Sequence, residues 1–302
     1  MNFIRELKKL NYFSRVLVNY SRMNTAMNTN DDDTKTYEPE PAPAVAAAII
    51  ESLPAVVPKT LKTEDTGKIF EKAICDAYGI PYDGPFKYSQ ADVDKLTPRL
   101  KRLVTDNLFP MCAHTASKGA RYDFTAVMGE SGGEVLHLSA KSNKKKGGKI
   151  APQVVGQPMP QKFWDECSVS GIGVSGIGMS ETVPDTATLK KYIQENIAAI
   201  MPMLWRYTFD SPIVYYVRDT SEIRFIAPGG DAPDWSSFQY TWSCPYDKWN
   251  QSSLLRIVGP GNKEESIMEF QFHTKSRQNM AIRWCIDKVL QVFAGHFKVT
   301  EL

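Results

Sequence analysis

Asp123 and Lys141 stand on two strand-like runs, residues 122–128 and 134–141, joined by Gly129-Glu130-Ser131-Gly132-Gly133. Turn residues between alternating runs predict a β-hairpin. With Met128 opposite Glu134, Asp123 falls opposite Ser139, and period-two alternation puts Lys141 on the same face one diagonal step away. A one-residue slip would turn one strand's set to the other face. An acid and a lysine so placed suit a definite chemistry. The carboxylate can hold a divalent cation that stabilises charge on a phosphate and acidifies a bound water, and the lysine can position or deprotonate that water.

The tripeptide Ser139-Ala140-Lys141, paired with Asp123 on the preceding run, resembles the PD-(D/E)xK nuclease superfamily. Its members include many type II restriction endonucleases, of the kind carried by bacteria and by large algal DNA viruses. They place an acid on one strand and an acid-x-Lys tripeptide on the next. Ser139 stands where the family has Asp or Glu, and a neutral hydroxyl is a poorer ligand for a hard cation. Upstream, Gly67-Lys68-Ile69-Phe70-Glu71 resembles the family's G-x-x-F-E helix, whose glutamate points into the metal site. Ile69, Phe70, Ala73, Ile74 and Ala77 recur at spacings of three and four, with Gly79 placed to cap an amphipathic helix.

The resemblance implies an α/β fold, a restriction-endonuclease-like central mixed β-sheet flanked by helices. It nominates Asp123 and Glu71 as ligands of Mg2+, Lys141 as the water-orienting or charge-stabilising base, Ser139 as a water-mediated contact and Gln153 as a residue that orients water or phosphate. Without it, Glu71 reads equally as one solvated acid among the 34 of the chain. Gln153 and Gln157 lie four apart, a spacing that predicts one face of a short helix. The implied activity is magnesium-dependent, site-specific cleavage of double-stranded DNA. Cutting both strands with equivalent sites implies a two-fold homodimer. Two rivals remain open: a noncatalytic DNA-binding protein on a nuclease scaffold, which Ser139 favours, and a repair or recombination nuclease acting on structured DNA or RNA.

Lys144, Lys145, Lys146 and Lys149 follow, so that with Lys141 five lysines fall within nine residues. Over the whole chain 36 Lys and Arg face 34 Asp and Glu, a net charge of +2, so a polyanion must be drawn by local fields. Such a cluster alone is equally a solvated turn or a nuclear localisation signal. Beside Asp123 and Lys141 it reads as a DNA groove. A second dense segment lies at 266–284, where Glu269, Gln271 and His273 alternate with Met268, Phe270 and Phe272. After that strand a helix is expected from Ser276, with Arg277 and Arg283 offered to base edges. Glu269-Phe270-Gln271 also resembles the Glu-x-Gln that replaces Glu-x-Lys in some superfamily members. It so offers a rival active site, although no hairpin partner bearing an acid is evident. A solvated strand face with ordinary surface arginines accounts for this segment at least as well as either.

The remaining elements must hold these residues. Residues 1–59 combine a basic, moderately amphipathic stretch at 1–23 with a Pro- and Ala-rich run that reads as a flexible linker. The basic stretch suits an organelle presequence or a polyanion contact, unless translation starts at Met23 or Met27. Residues 60–302 are expected to form the nuclease domain, its C-terminal portion rich in strands and devoted to DNA recognition. A helix is expected over Thr186 to Met201, stopped by Pro202, and strands over 213–218, 223–226, 238–242 and 253–258, forming a mixed-sheet extension. Gly171, Gly173 and Gly176 spell G-x-G-x-x-G, but no βαβ pattern surrounds them, so no dinucleotide site is expected. Trp235, Trp242, Tyr246 and Trp249 suit a core better than base stacking. The five cysteines lack a C-x-x-C pair and the four histidines lack ligand spacing. Structural or surface histidines are expected, in a reducing intracellular setting. No run of 18 apolar residues occurs, so a soluble chain is expected.

Overall fold

The computed structural model describes residues 62–110, 112–116, 120–127, 133–156, 160–172, 182–258, 263–273 and 279–302. The basic stretch, the linker, most of the hairpin turn, Gln157, Gly173, Gly176 and Arg277 lie outside these residues. Helix α1 spans Thr63–Tyr78 and ends at Gly79, whose left-handed backbone (φ 66°) lets the last turn close without a Cβ clash. Glu64 and Asp65 sit in its first turn, complementing the helix dipole, and Asp65 accepts from the Lys62 backbone N–H at 2.7 Å. Helices α2 (Gln90–Leu100) and α3 (Arg102–Thr105) follow.

Strands β1 (Ala113–His114), β2 (Phe124–Val127) and β3 (Val135–Asn143) come next, then the short β4 (Lys149–Ile150). Phe124 pairs with Leu138 and Val127 with Val135, the hairpin register expected from the sequence. After α4 (Pro160–Val169), the helix expected over 186–201 is two helices, α5 (Thr186–Glu195) and α6 (Ile197–Phe209). The break falls at Asn196 (φ −114°), whose side chain bonds the Tyr192 carbonyl, while Pro202 lies inside α6. Proline there removes one backbone hydrogen bond; the buried face of Ile200, Met201, Met203 and Leu204 carries the helix through it.

Strands β5 (Ile213–Val217), β6 (Glu222–Pro228), β7 (Gln239–Trp242), β8 (Ser252–Val258) and β9 (Glu264–His273) match the expected runs closely. The helix expected from Ser276 is instead strand β10 (Asn279–Cys285), followed by α7 (Ile286–Val292) and β11 (Phe297–Glu301). Met280, Ile282 and Trp284 alternate into the core at 1% exposure or less, and antiparallel pairing with β9 fixes the extended form.

Six strands form a mixed sheet, ordered β1-β2-β3-β5-β6-β11, with β3 and β5 parallel. The other five, β4-β10-β9-β8-β7, form a separate antiparallel sheet, so the C-terminal strands are not one extension of the first. One core lies between the mixed sheet and α1–α2, where Phe70 and Ile74 meet Phe124, Leu138, Val214 and Tyr216. The other joins its opposite face, through Ile213, Tyr215 and Val217, to α6, α7 and the second sheet. Trp284 is buried at the centre of that second core and donates Nε1–H to Thr208 Oγ1 at 2.8 Å. Trp235 and Trp249, buried at 3% and 2% exposure, belong to the same core and offer no face for base stacking. Each large side chain so buried contributes about 1.5–3 kcal/mol. Helix α1 and the hairpin are held together through the first of these cores. Among the described residues, no helix is long and apolar enough to cross a membrane.

Candidate active site

The hairpin stops being a regular ladder at Asp123. Continuing the Phe124–Leu138 register by one residue sets Asp123 opposite Ser139, and there the Asp123 side chain turns inward. Its Oδ2 accepts the Ala140 backbone N–H at 2.8 Å, the role a strand carbonyl would play had the ladder run on. The Asp123 carbonyl is held in turn by the Thr115 N–H at 2.8 Å. Just before it, Tyr122 stacks on His137 with ring centroids 4.0 Å apart and donates its hydroxyl to Asp210 at 2.6 Å. Main chain and side chain of Asp123 are therefore both fixed.

Lys141 lies one residue beyond Ala140, and its Nζ stands 3.8 Å from Asp123 Oδ2. Burial pushes the Asp123 carboxyl above its ordinary range; Lys141 and the Ala140 N–H pull it back, while the nearby charge of Glu71 adds to the rise. Glu71, on α1, faces Lys68 with both oxygens, at 3.3 and 2.9 Å, and His114 Nε2 lies 3.5 Å from its Oε2. Burial raises the Glu71 carboxyl, but His114 and Lys68 outweigh it and hold the group below the usual glutamate range. The Lys68 ammonium is held above its ordinary value: burial opposes this, and Glu71, Tyr82 and Asp123 overcome it. Two carboxylates and two ammonium groups thus share one electrostatic site, where Asp123 is crowded and Glu71 is held ionised.

Ser139 is on this strand face but is fully buried, and its Oγ accepts from Gln153 Nε2 rather than facing solvent. Gln153 lies in a turn, not on the expected short helix. Val154 next to it has φ +64°, a conformation that costs a β-branched residue strain and cannot propagate a helix. The Gln153 N–H donates to the Tyr207 carbonyl at 2.8 Å, and its buried Oε1 has no hydrogen-bond partner among the described residues.

Lys144, Lys145 and Lys146 are exposed in the turn that ends β3. Asp219 accepts the Lys146 N–H at 3.4 Å and Asp287 the Gly147 N–H at 2.9 Å, so the turn is pinned from two sides. Lys149 and Arg283 lie instead on the second sheet, where both engage Glu269, at 3.1 and 3.5 Å, and Arg283 also bonds Gln271. Motif reading passed over Lys68 and His114. Lys68 carries a signal, three residues before Glu71 on one helix face. His114 carries none, because β1 contributes only two residues.

Among the described residues, no group of three or more His, Cys, Asp or Glu is arranged to hold a metal ion. The available donors are the two carboxylates. Mg2+ is bound through one or two carboxylates, with water and substrate phosphate filling its octahedron, so this donor set fits that ion better than Ca2+, which takes six to eight oxygens.

No family model matches the chain, and no solved structure does. Among curated proteins it is similar to the type II restriction enzyme CviAII of Paramecium bursaria Chlorella virus 1, with 35% identity over 253 residues, 80% of this chain. The chain spans 64% of that protein's length, a little under two thirds.

Proposed function

We propose that this chain is a site-specific endonuclease of the PD-(D/E)xK kind, hydrolysing phosphodiester bonds in double-stranded DNA with Mg2+. The observation that carries the reading is the meeting of Asp123 and Lys141 at 3.8 Å where the hairpin opens, with Glu71 brought to the same site by α1. Similarity to a type II restriction enzyme supports it from an independent direction. Asp123 and Glu71 would hold the metal, which when bound neutralises charge on the scissile phosphate and acidifies a water. Lys141 orients the attacking water or stabilises the charge that develops in the transition state. Ser139 supports the strand by accepting from Gln153. Lys144, Lys145 and Lys146 supply phosphate contacts along the flanking duplex. Arg283 and Lys149, already paired with Glu269, serve recognition by exchanging that partner for base or phosphate.

The deciding experiment incubates full-length protein with long duplex DNA, with and without Mg2+, and sequences the fragment ends. A discrete fragment pattern dependent on Mg2+ and lost in Asp123→Ala is expected. Binding without nicking would establish the noncatalytic rival, and random or structure-dependent cleavage the repair-type rival. Cutting both strands at one position would further support a two-fold homodimer with a palindromic target.

A further inference from the structure

We propose that His114 is the positioning residue for Glu71, holding one carboxylate oxygen so that the other is presented to a metal ion. This rests on the reading of Glu71 as a ligand. The His114 side chain is 1% exposed and fixed on three sides. Its ring stacks on Tyr82 at 4.6 Å and lies against Phe124 at 5.0 Å, while Nδ1 accepts the Asp83 backbone N–H at 2.9 Å. A nitrogen that accepts an N–H carries no proton, so the ring proton of the neutral imidazole is on Nε2. That proton points towards Glu71.

Nε2 lies 3.5 Å from Glu71 Oε2, beyond a normal hydrogen bond, and has no other hydrogen-bond partner among the described residues. Leaving a buried donor unmade is costly, so a carboxylate arriving within reach is drawn to it. Lys68 now engages both Glu71 oxygens, and its side chain, 36% exposed, can swing into solvent. His114 cannot move. When Lys68 releases Glu71, the buried imidazole is the group left to orient it, from a strand paired to Phe124 beside Asp123. One element thus positions both acids: the residue after β1 anchors the Asp123 main chain through the Thr115 N–H, and His114 anchors Glu71.

The test uses the full chain with Mn2+ alone as probe, measured by calorimetry without DNA, together with single-turnover cleavage. His114→Gln keeps an amide donor near the Nε2 position; His114→Asn keeps an acceptor for Asp83 but offers nothing to Glu71. We expect His114→Asn to bind Mn2+ roughly 10- to 100-fold more weakly and, at subsaturating metal, to lose single-turnover cleavage rate by a similar factor, with the DNA concentration giving half-maximal rate unchanged. His114→Gln should stay near wild type. Equal Mn2+ affinity in His114→Asn and wild type, or equal impairment of both variants, would overturn the proposal. Nitrogen NMR of the labelled wild-type imidazole reads the tautomer with no substitution: an Nε2-protonated ring supports the proposal and an Nδ1-protonated ring sinks it. Glu71→Ala separates the two layers. Undiminished Mn2+ binding there removes Glu71 as a ligand altogether, whereas a defective Glu71→Ala beside an unaffected His114→Asn removes only the role of His114.

Discussion

Replacing Lys141 by methionine removes a charge while keeping most of the side chain's length and apolar bulk. At the 3.8 Å that separates Nζ from Asp123 Oδ2, with an effective dielectric of about 20 for a partly exposed site, a unit charge pair interacts by about 4 kcal/mol. A transition-state oxygen at similar range would lose stabilisation of that size, about a thousandfold in rate. Single-turnover cleavage of supercoiled plasmid at saturating Mg2+ measures this directly, uncomplicated by product release. Folding should survive, because methionine keeps the apolar bulk of the lysine and the Asp123 carboxylate keeps the hydrogen bond it accepts from the Ala140 N–H at 2.8 Å. Thermal unfolding is the control. A Lys141→Met protein that melts like wild type and cuts within about tenfold of its rate would show that the ammonium does not act on the reacting phosphate.

Two further outcomes follow from the same site. Because burial raises the folded pKa of Asp123 above its value in the unfolded chain, the stabilising contribution of this group is present below the unfolded pKa and is lost as pH rises through the folded pKa. Asp123→Asn keeps an acceptor for the Ala140 N–H and removes the buried charge, so the inactive variant should melt above wild type at neutral pH. That advantage should vanish in acid; a lower melting temperature at neutral pH would contradict the electrostatic account. Replacing Lys144, Lys145 and Lys146 together by alanine should weaken binding to all duplex sequences alike. The dependence of log affinity on log salt should flatten by about 2 to 3, three phosphate contacts at roughly 0.9 each, as read from binding titrations across salt concentrations.

Much of the hairpin and of α1 was legible because their signals are local. The period of two in β3 and the three-four spacing of Ile69, Phe70, Ala73 and Ile74 each point to one face. Other features depend on contacts that no local pattern carries. His114 meets Asp83 from 31 positions away, and only the pairing of β1 with β2 brings it to Glu71. The alternation of Met280, Ile282 and Trp284 does carry a strand signal, yet Arg277 and Arg283 around it imitate the start of a surface helix. Pro202 looks like a stop, but tertiary burial outweighs one missing hydrogen bond. At Gln153 the turn is imposed by its surroundings: the Tyr207 carbonyl and Ser139 hold it where Val154 must adopt a left-handed backbone.

The hydrogen bond from Gly147 to Asp287 joins residues 140 positions apart, and β4 pairs with β10. A nascent chain halted before residue 279 would already possess Asp123, Lys141, Glu71 and the Asp219 anchor, yet the lysine-bearing turn would lack its second acidic anchor, Asp287, and β4 its partner strand β10. Such long-range closure is slow to form. On the proposed function, the turn that contacts DNA would therefore be fully pinned only after the candidate metal-binding acids have already been synthesised.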